Sequence, residues 1–374
     1  MKRTKIVIIT LLLSFLTSLI IFNGCGKKEE KIKIGAILPL TGNLASLGEK
    51  ESRMLKFIEY YINENKTFNP KIRIDIQDAK GDAKLAANIA QKFVIDGLEY
   101  VLISTTPLSA AALPILEKNN KVTIIHSMTN SLLNNTKHAV RIYPSIYDEI
   151  LCLNKWFETK QFSKIFILRV RGEFSEIWVK EFKKSNPNID IKDEEYTLTN
   201  LDIKNIISKI KIFSPNSIIL LGYGSEYPQL LRQLKEFKIE TLIYSNIGFA
   251  YSGNKEAAEK MNSLSLLQDI IFPMINIDVK DKHFKELDSL YFKKYNRSFL
   301  EEPGAIYYYD TIILLLEYLS SKNSKANEFR NFLANEKQKY IGITGEMKFL
   351  ENGDTRIQLI PAKYNNNNQI QLIK

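Results

Sequence analysis

Two cysteines in 374 residues are too few for a disulfide scaffold, and no CxxC pair or Cys/His cluster offers structural zinc. The three histidines, His126, His138 and His283, stand in unrelated contexts without H-E-x-x-H spacing. A nucleophile elbow of G-x-S-x-G type is missing, because Gly222-Tyr223-Gly224-Ser225-Glu226 brings its serine one position late. A phosphate loop is missing too, since Gly42 and Gly48-Glu49-Lys50 have the wrong spacing for G-x-x-x-x-G-K-[ST]. There is no solenoid repeat and no long Lys/Arg run. An enzyme, a bound metal, a cofactor and a nucleic-acid partner are therefore all left without a motif, and none is expected.

What is present is a well-mixed globular composition, 45% hydrophobic and 25% charged, long enough for two or three domains. The formal net charge is +10, from 52 basic against 42 acidic side chains. Three of the basic residues, Lys2, Arg3 and Lys5, precede an uncharged apolar run from Ile6 to Phe22. That order is the order of a secretory signal, and the run is short for a spanning helix, which needs about 20 residues. It ends in Phe22-Asn23-Gly24-Cys25, which resembles the lipobox of bacterial lipoproteins. The resemblance implies a signal peptide over residues 1–24, lipidation at Cys25 and a polar tether over residues 25–31. The alternative is an uncleaved anchor with an incidental cysteine. Without the signal, 49 basic residues face 42 acidic ones, scattered over helix faces as solvated charge.

From Ile32 onward the apolar pattern alternates between period two and helical spacing. Ile32, Ile34 and Ala36 read as a strand. Met54, Ile58, Tyr61 and Ile62 form a helical stripe, with Glu49, Glu51, Lys56 and Glu59 left for solvent. Strands at Tyr100–Ser104, Val122–Ile125, Ile165–Val170, Ser217–Leu221 and Leu242–Ser245 alternate with further helical stripes. This predicts an α/β protein of right-handed βαβ units around parallel sheets. Tyr143-Pro144-Ser145 separates two such series, so two doubly wound lobes joined by a hinge are expected. Such sheets bind ligands at the carboxyl ends of their strands, and two facing lobes can enclose a solute.

An ordered series of motifs then carries a resemblance. Gly35-Ala36-Ile37-Leu38-Pro39-Leu40-Thr41-Gly42 is followed by Asp78-Ala79-Lys80-Gly81-Asp82, Ser104-Thr105-Thr106 and Ser127-Met128-Thr129-Asn130. Glu302-Pro303-Gly304-Ala305 with Tyr309-Asp310, then Gly342-Ile343-Thr344-Gly345 with Gly353-Asp354, close the series. Together they resemble the leucine/isoleucine/valine-type periplasmic binding proteins, the solute receptors of amino-acid ABC importers. The resemblance implies the type I periplasmic-binding-protein fold, with lobe 1 from residues 32–144 plus 277–345 and lobe 2 from 145–276 plus 346–374. It also implies an extracytoplasmic lipoprotein that delivers an amino acid, or a related small carboxylate or amide, to an ABC permease. The anchor would sit on the outer face of the cytoplasmic membrane or in the periplasm, with the membrane met through lipid alone. A non-transport lipoprotein of the same fold, sensing or binding another protein, is the alternative.

Residue by residue, the resemblance places Thr105 and Thr106 on the ligand carboxylate, with Ser127 and Thr129 beside them. Phe174 and Tyr223 face the ligand from the second lobe, and Leu47 shapes the side-chain pocket. Ile247 occupies the place of the family's ammonium-binding carboxylate; Glu226 is a possible substitute or a solvated helix-start residue. Cys152 reads as a small core residue and Tyr307-Tyr308-Tyr309 as helix packing.

Overall fold

The computed structural model describes residues 31–158, 160, 162–250, 252–321 and 328–373. The expected signal peptide, the tether up to residue 30 and the lipid-bearing Cys25 lie outside the described residues.

The first series runs β1 (Ile32–Leu38), α1 (Ala45–Glu64), β2 (Ile72–Asp78), α2 (Ala83–Ile95), β3 (Tyr100–Ser104), α3 (Thr106–Lys118), β4 (Val122–His126) and β5 (Ala139–Arg141). Its strands form one parallel sheet in the order β2-β1-β3-β4-β5. The second series repeats the winding with α4 (Ile146–Phe157), β6 (Lys164–Val170), α5 (Glu173–Ser185), β7 (Asp190–Tyr196), α6 (Lys204–Phe213), β8 (Ser217–Leu221), α7 (Tyr227–Glu236) and β9 (Leu242–Ser245). These strands are parallel in the order β7-β6-β8-β9. Each sheet is buried on both faces. Ile34, Ala36 and Leu38 pack with Met54 and Phe57 of α1, while Ile37, Val101 and Ile103 meet Phe93 of α2 and Leu108 of α3. This two-sided burial explains strands that read as continuous apolar runs.

The rest of the chain is α8 (Ser252–Lys260), β10 (Phe272–Ile275), α9 (Lys282–Tyr295), α10 (Tyr307–Ser320), α11 (Phe329–Glu336) and β11 (Lys339–Gly342). It ends with β12 (Gly345–Phe349), β13 (Thr355–Ile357), β14 (Leu359–Tyr364) and β15 (Ile370–Leu372). Strands β11, β12 and β13 pair antiparallel, and Arg141 of β5 donates its N–H to Gly353 O at 2.9 Å just before β13. Strands β10, β14 and β15 form the other antiparallel group, joined to β9 by a bridge between Tyr244 and Ile271. No helix among the described residues is long and apolar enough to cross a membrane.

Three of the recurring motifs turn out to be backbone clamps. Asp78, at the end of β2, accepts from Leu40 N at 2.9 Å, Lys80 N at 2.8 Å and the Thr41 hydroxyl at 2.7 Å, which pins the β1–α1 loop. Burial raises its pKa, but those donors outweigh it and hold the carboxyl below its ordinary value. Asp310, buried in α10, accepts from Ile343 N at 3.1 Å and Thr344 N at 3.0 Å and closes the β11–β12 turn. Asp354 takes the Arg141 Nε at 2.7 Å and its Nη2 as well. The Arg141 guanidinium, fully buried, also donates to the Ser127, Tyr143 and Thr355 carbonyls. It therefore ties the end of β4, the first passage between the lobes and β13 into one knot.

Among the strands that the apolar pattern did not mark, two show why. Asp190–Tyr196 is an edge strand whose Asp193, Glu194 and Glu195 pair with Arg169, Lys183, Lys209 and Arg171. Its central residues are charged and meet ion partners, so no apolar alternation marks it. Ala139–Arg141 is only three residues long. In contrast to its expected solvent exposure, Glu51 is 2% exposed, because the face of α1 that bears it packs into the molecule. Cys152 is free and buried, and Tyr307, Tyr308 and Tyr309 are core residues.

Removing one partner from a buried ion pair strands the other charge. Asp354→Ala is therefore expected to lower unfolding stability by about 3–5 kcal/mol. Urea unfolding at pH 7 checks this, with Asp202→Ala, an exposed carboxylate, as the near-neutral control.

Candidate functional site

In a sheet of order 2-1-3-4-5 the connections leave in opposite directions from the first and third strands, and a crevice opens outside their carboxyl ends. Both sheets have this switch point, and the two crevices face one another. They share a cavity of about 300 Å³, at the small end of the range for ligand pockets.

Lobe 1 supplies Leu44 and Leu47 after β1, Glu51 of α1, Ser104 to Pro107 after β3, and His126 to Met128 after β4. Lobe 2 supplies Arg171 to Phe174 after β6, Gly222 and Tyr223 after β8, and Asn246 to Gly248 after β9. Thus Thr105, Thr106, Ser127, Phe174, Tyr223, Ile247 and Leu47 all line one cavity. Thr129 does not; it sits behind Thr106, with the two hydroxyl oxygens 3.2 Å apart.

At the lobe-1 end, the Thr106 hydroxyl lies 2.6 Å from that of Ser127. Thr105 precedes α3 with φ 64° and ψ 155°, a left-handed backbone that a threonine adopts only when its surroundings hold it there. Its hydroxyl is buried without a partner. The first turn of α3 leaves N–H groups unused by the helix, and Pro107 removes one of them. Hydroxyls and N–H groups converging on a helix start suit an anion. The Ser127 carbonyl is already taken by Arg141 at 3.2 Å.

At the lobe-2 end, Phe174 and Tyr223 are neighbouring rings, 6.2 Å between centroids. The Tyr223 loop is built over Glu226, whose Oε1 accepts from Tyr223 N at 2.7 Å and from the Tyr196 hydroxyl at 3.1 Å. A Cβ at Gly222 would meet that carboxylate and the Tyr196 hydroxyl, so a side chain there would displace both from the loop. Glu226 is therefore buried beneath the loop and is neither a solvated helix-start residue nor part of the cavity wall. The Ile247 N–H donates to Glu149 Oε1 at 2.6 Å, and Trp178 Nε1 donates to Glu149 Oε2 at 2.9 Å. Asn246 spans the same region, its amide nitrogen 3.0 Å from Gly222 O.

The cavity residues that the sequence did not single out include Glu51, Tyr143, Arg171 and Asn246. Glu51 accepts from the Ser104 hydroxyl at 2.9 Å, and burial lifts its pKa to about 8 despite that bond. A signal for it existed: Glu51 falls three and four residues from Gly48, Leu47, Met54 and Leu55, within the buried stripe of α1. His126, at the end of β4, has its ring stacked on Tyr308 at 3.9 Å and its Nε2 3.1 Å from the Thr311 hydroxyl. Burial, helped by Arg141, lowers its pKa to about 3 and keeps it neutral. Arg171 is committed to Glu195 at 2.7 Å. Among the described residues, no cluster of three or more His, Cys, Asp or Glu side chains is arranged to hold a metal.

A family model described as periplasmic binding protein matches residues 31–358. The chain belongs to this family. Its members are solute-binding proteins, and this periplasmic binding protein has relatives of known kind. A Leu/Ile/Val-binding protein homolog of Brucella abortus is 21% identical over 354 residues, covering 91% of this chain and 92% of the relative. The branched-chain amino acid transporter substrate binding protein LivJ of Streptococcus pneumoniae, solved with isoleucine, superimposes with a TM-score of 0.79 at 19% identity, over 92% of this chain and all of LivJ. An ABC-transporter solute binding protein of R. palustris, solved with benzoate, gives 0.78 at 12% identity, over 92% of this chain and 96% of that one. At these identities the structures establish the shared two-lobed fold.

The carboxyls of Glu51 and Glu149 carry a pH signature. Both are pushed by burial to about 8, from an ordinary value of 4.5. The folded chain then holds more protons than the unfolded one, so their stabilisation is complete at low pH and lost as pH rises through about 8. His126 opposes this trend only below its ordinary value of 6.5. Stability is therefore expected to fall between pH 6.5 and 8, by up to about 1.4 kcal/mol per pH unit per group. Thermal or urea unfolding across that range checks it, and Glu149→Gln should flatten the slope.

Proposed function

We propose that this protein is an extracytoplasmic solute receptor that captures a small carboxylate, an amino acid or a related acid or amide, between its lobes and delivers it to an ABC permease. The observation that carries this is the meeting of both switch-point crevices in one cavity, with the hydroxyls of Thr105, Thr106 and Ser127 gathered at the start of α3. In this reading those three hold the carboxylate and Thr129 positions Thr106 from behind. Leu47, Phe174, Tyr223 and Ile247 form the apolar remainder. Isoleucine and benzoate, the ligands seen in two structural relatives, both put a carboxylate on an apolar body. Their common feature supports the carboxylate end more than any one side chain.

The lobe division that goes with this function has residues 32–144 in lobe 1 and 145–276 in lobe 2, with 277 onward returning to lobe 1. The pairing of β12 and β13 with β11 favours a last passage at Gln358, later than residue 345. Closure about these passages is driven by a ligand that binds the closed form more tightly than the open one.

A thermal-shift screen over amino acids, amides and short carboxylic acids is expected to reveal binding, since a ligand that prefers the folded state raises its apparent stability. Thr106→Val should then weaken the responding carboxylate by about 10- to 100-fold, the worth of a hydrogen bond to a charged group. Calorimetry giving unchanged affinity removes the site from this account. The proposed lipid anchor predicts that Cys25→Ser moves the full-length protein from the membrane fraction to the soluble one, as fractionation and immunoblotting would show.

A further inference from the structure

The cavity wall holds one carboxyl group that is almost wholly buried and incompletely bonded. Glu51 Oε1 takes the Ser104 hydroxyl, while Oε2 is buried with no hydrogen-bond partner. Tyr308 stands close by, its hydroxyl near enough to favour the ionised Glu51 carboxyl but without the geometry of a hydrogen bond to it. A buried carboxyl oxygen without a donor is costly, and a ligand that brings one relieves the cost.

The protein's own cations are elsewhere. The Lys50 ammonium, on the same helix, donates to Ser46 Oγ at 2.8 Å. Arg171, facing from lobe 2, pairs with Glu195, and Arg141 behind His126 pairs with Asp354. His126 is neutral and stacked on Tyr308. Of the other carboxylates, Glu226 lies beneath its loop and Glu149 beneath Ile247, while Glu173 lines the cavity but is exposed to solvent.

We propose that Glu51 is the ammonium subsite of this receptor: an α-amino acid binds with its carboxylate on Thr105 and Thr106 and its ammonium on the free Oε2 of Glu51. The placement rests on the solute-receptor reading above. It follows from adjacency, because the group that fixes Glu51 is Ser104, the residue directly before Thr105, and an α-ammonium stands one carbon from its carboxylate. Ile247, at the place resembling the family's carboxylate, then contributes apolar surface from lobe 2, while the charge complement comes from lobe 1. The apolar lining of the cavity, Leu44, Leu47 and Met128 among it, suits an uncharged side chain.

Calorimetry with the full chain, using L-leucine, L-isoleucine, L-valine and L-alanine beside their deaminated acids, tests this. The amino acids are expected to bind more tightly than the acids. Glu51→Gln should weaken the best amino acid by about 30- to 100-fold and leave its deaminated acid within about 3-fold, the difference between a charge-assisted and a neutral contact. Asp202→Asn, at an exposed carboxylate outside the cavity, should change neither. The unmodified protein provides a second readout. Glu51 is protonated below about pH 8 when unliganded and must ionise to meet an ammonium, so binding at pH 7 should release close to one proton. Heats measured in buffers of different ionisation enthalpy report that proton. Unchanged amino-acid affinity in Glu51→Gln, or binding without proton release, overturns the subsite. If only the deaminated acids bind, the subsite falls and the receptor stands. If neither class binds, both fall.

Discussion

The guanidinium of Arg141 is the point on which the architecture depends. It is fully buried, at the edge of the first sheet, and its donors are divided among an aspartate and three backbone carbonyls that are far apart in sequence. A buried cation is tolerated only when it is paired and fully hydrogen-bonded, so the segments bearing its partners have almost no freedom to move apart. One of those segments, at Ser127, belongs to the cavity; another, at Tyr143, carries the chain to the second lobe; the third, at Asp354 and Thr355, closes the returning hairpin. The site and the connection between lobes are held by the same charge.

Asp78 and Asp310 work on the same principle with smaller reach. Each is a carboxylate that gathers the N–H groups of a loop that has no regular secondary structure to satisfy them. Short acidic motifs of the sequence are, in these cases, devices that shape loops through backbone N–H groups. Glu226 and Glu149 do the corresponding task in the second lobe, under Tyr223 and under Ile247.

The electrostatics of the cavity follow from this economy. Most of its charged neighbours are already paired, its histidine is neutral, and burial keeps the Glu51 carboxyl protonated near neutral pH. The cavity is therefore close to uncharged, with hydroxyls and peptide groups in place of fixed ions at the start of α3. Under the function proposed above, a small zwitterion enters and leaves such a cavity without stranding an opposite charge there.

The alternation of strands and helices, both parallel sheets and the strand-end position of Thr105, Thr106, Ser127, Phe174, Tyr223 and Ile247 were legible in the sequence. Local rules govern them: helical and strand periodicity differ, right-handed crossovers fix the winding, and parallel sheets expose loops at their carboxyl ends. The charged edge strand at Asp190–Tyr196 was not legible, because its charges find partners on distant residues and leave no apolar alternation. Nor was the burial of Glu51, although its place in the α1 stripe hinted at it, since a carboxylate on a helix is ordinarily solvated. Whether Glu226 faced a ligand or a loop, and whether Thr129 lined the cavity or stood behind Thr106, depended on packing between segments tens of residues apart. Composition and spacing determined which residues could reach a solute between two lobes; only the tertiary contacts decided which of their polar atoms were already satisfied, because a hydrogen bond between distant segments leaves no periodic trace along the chain.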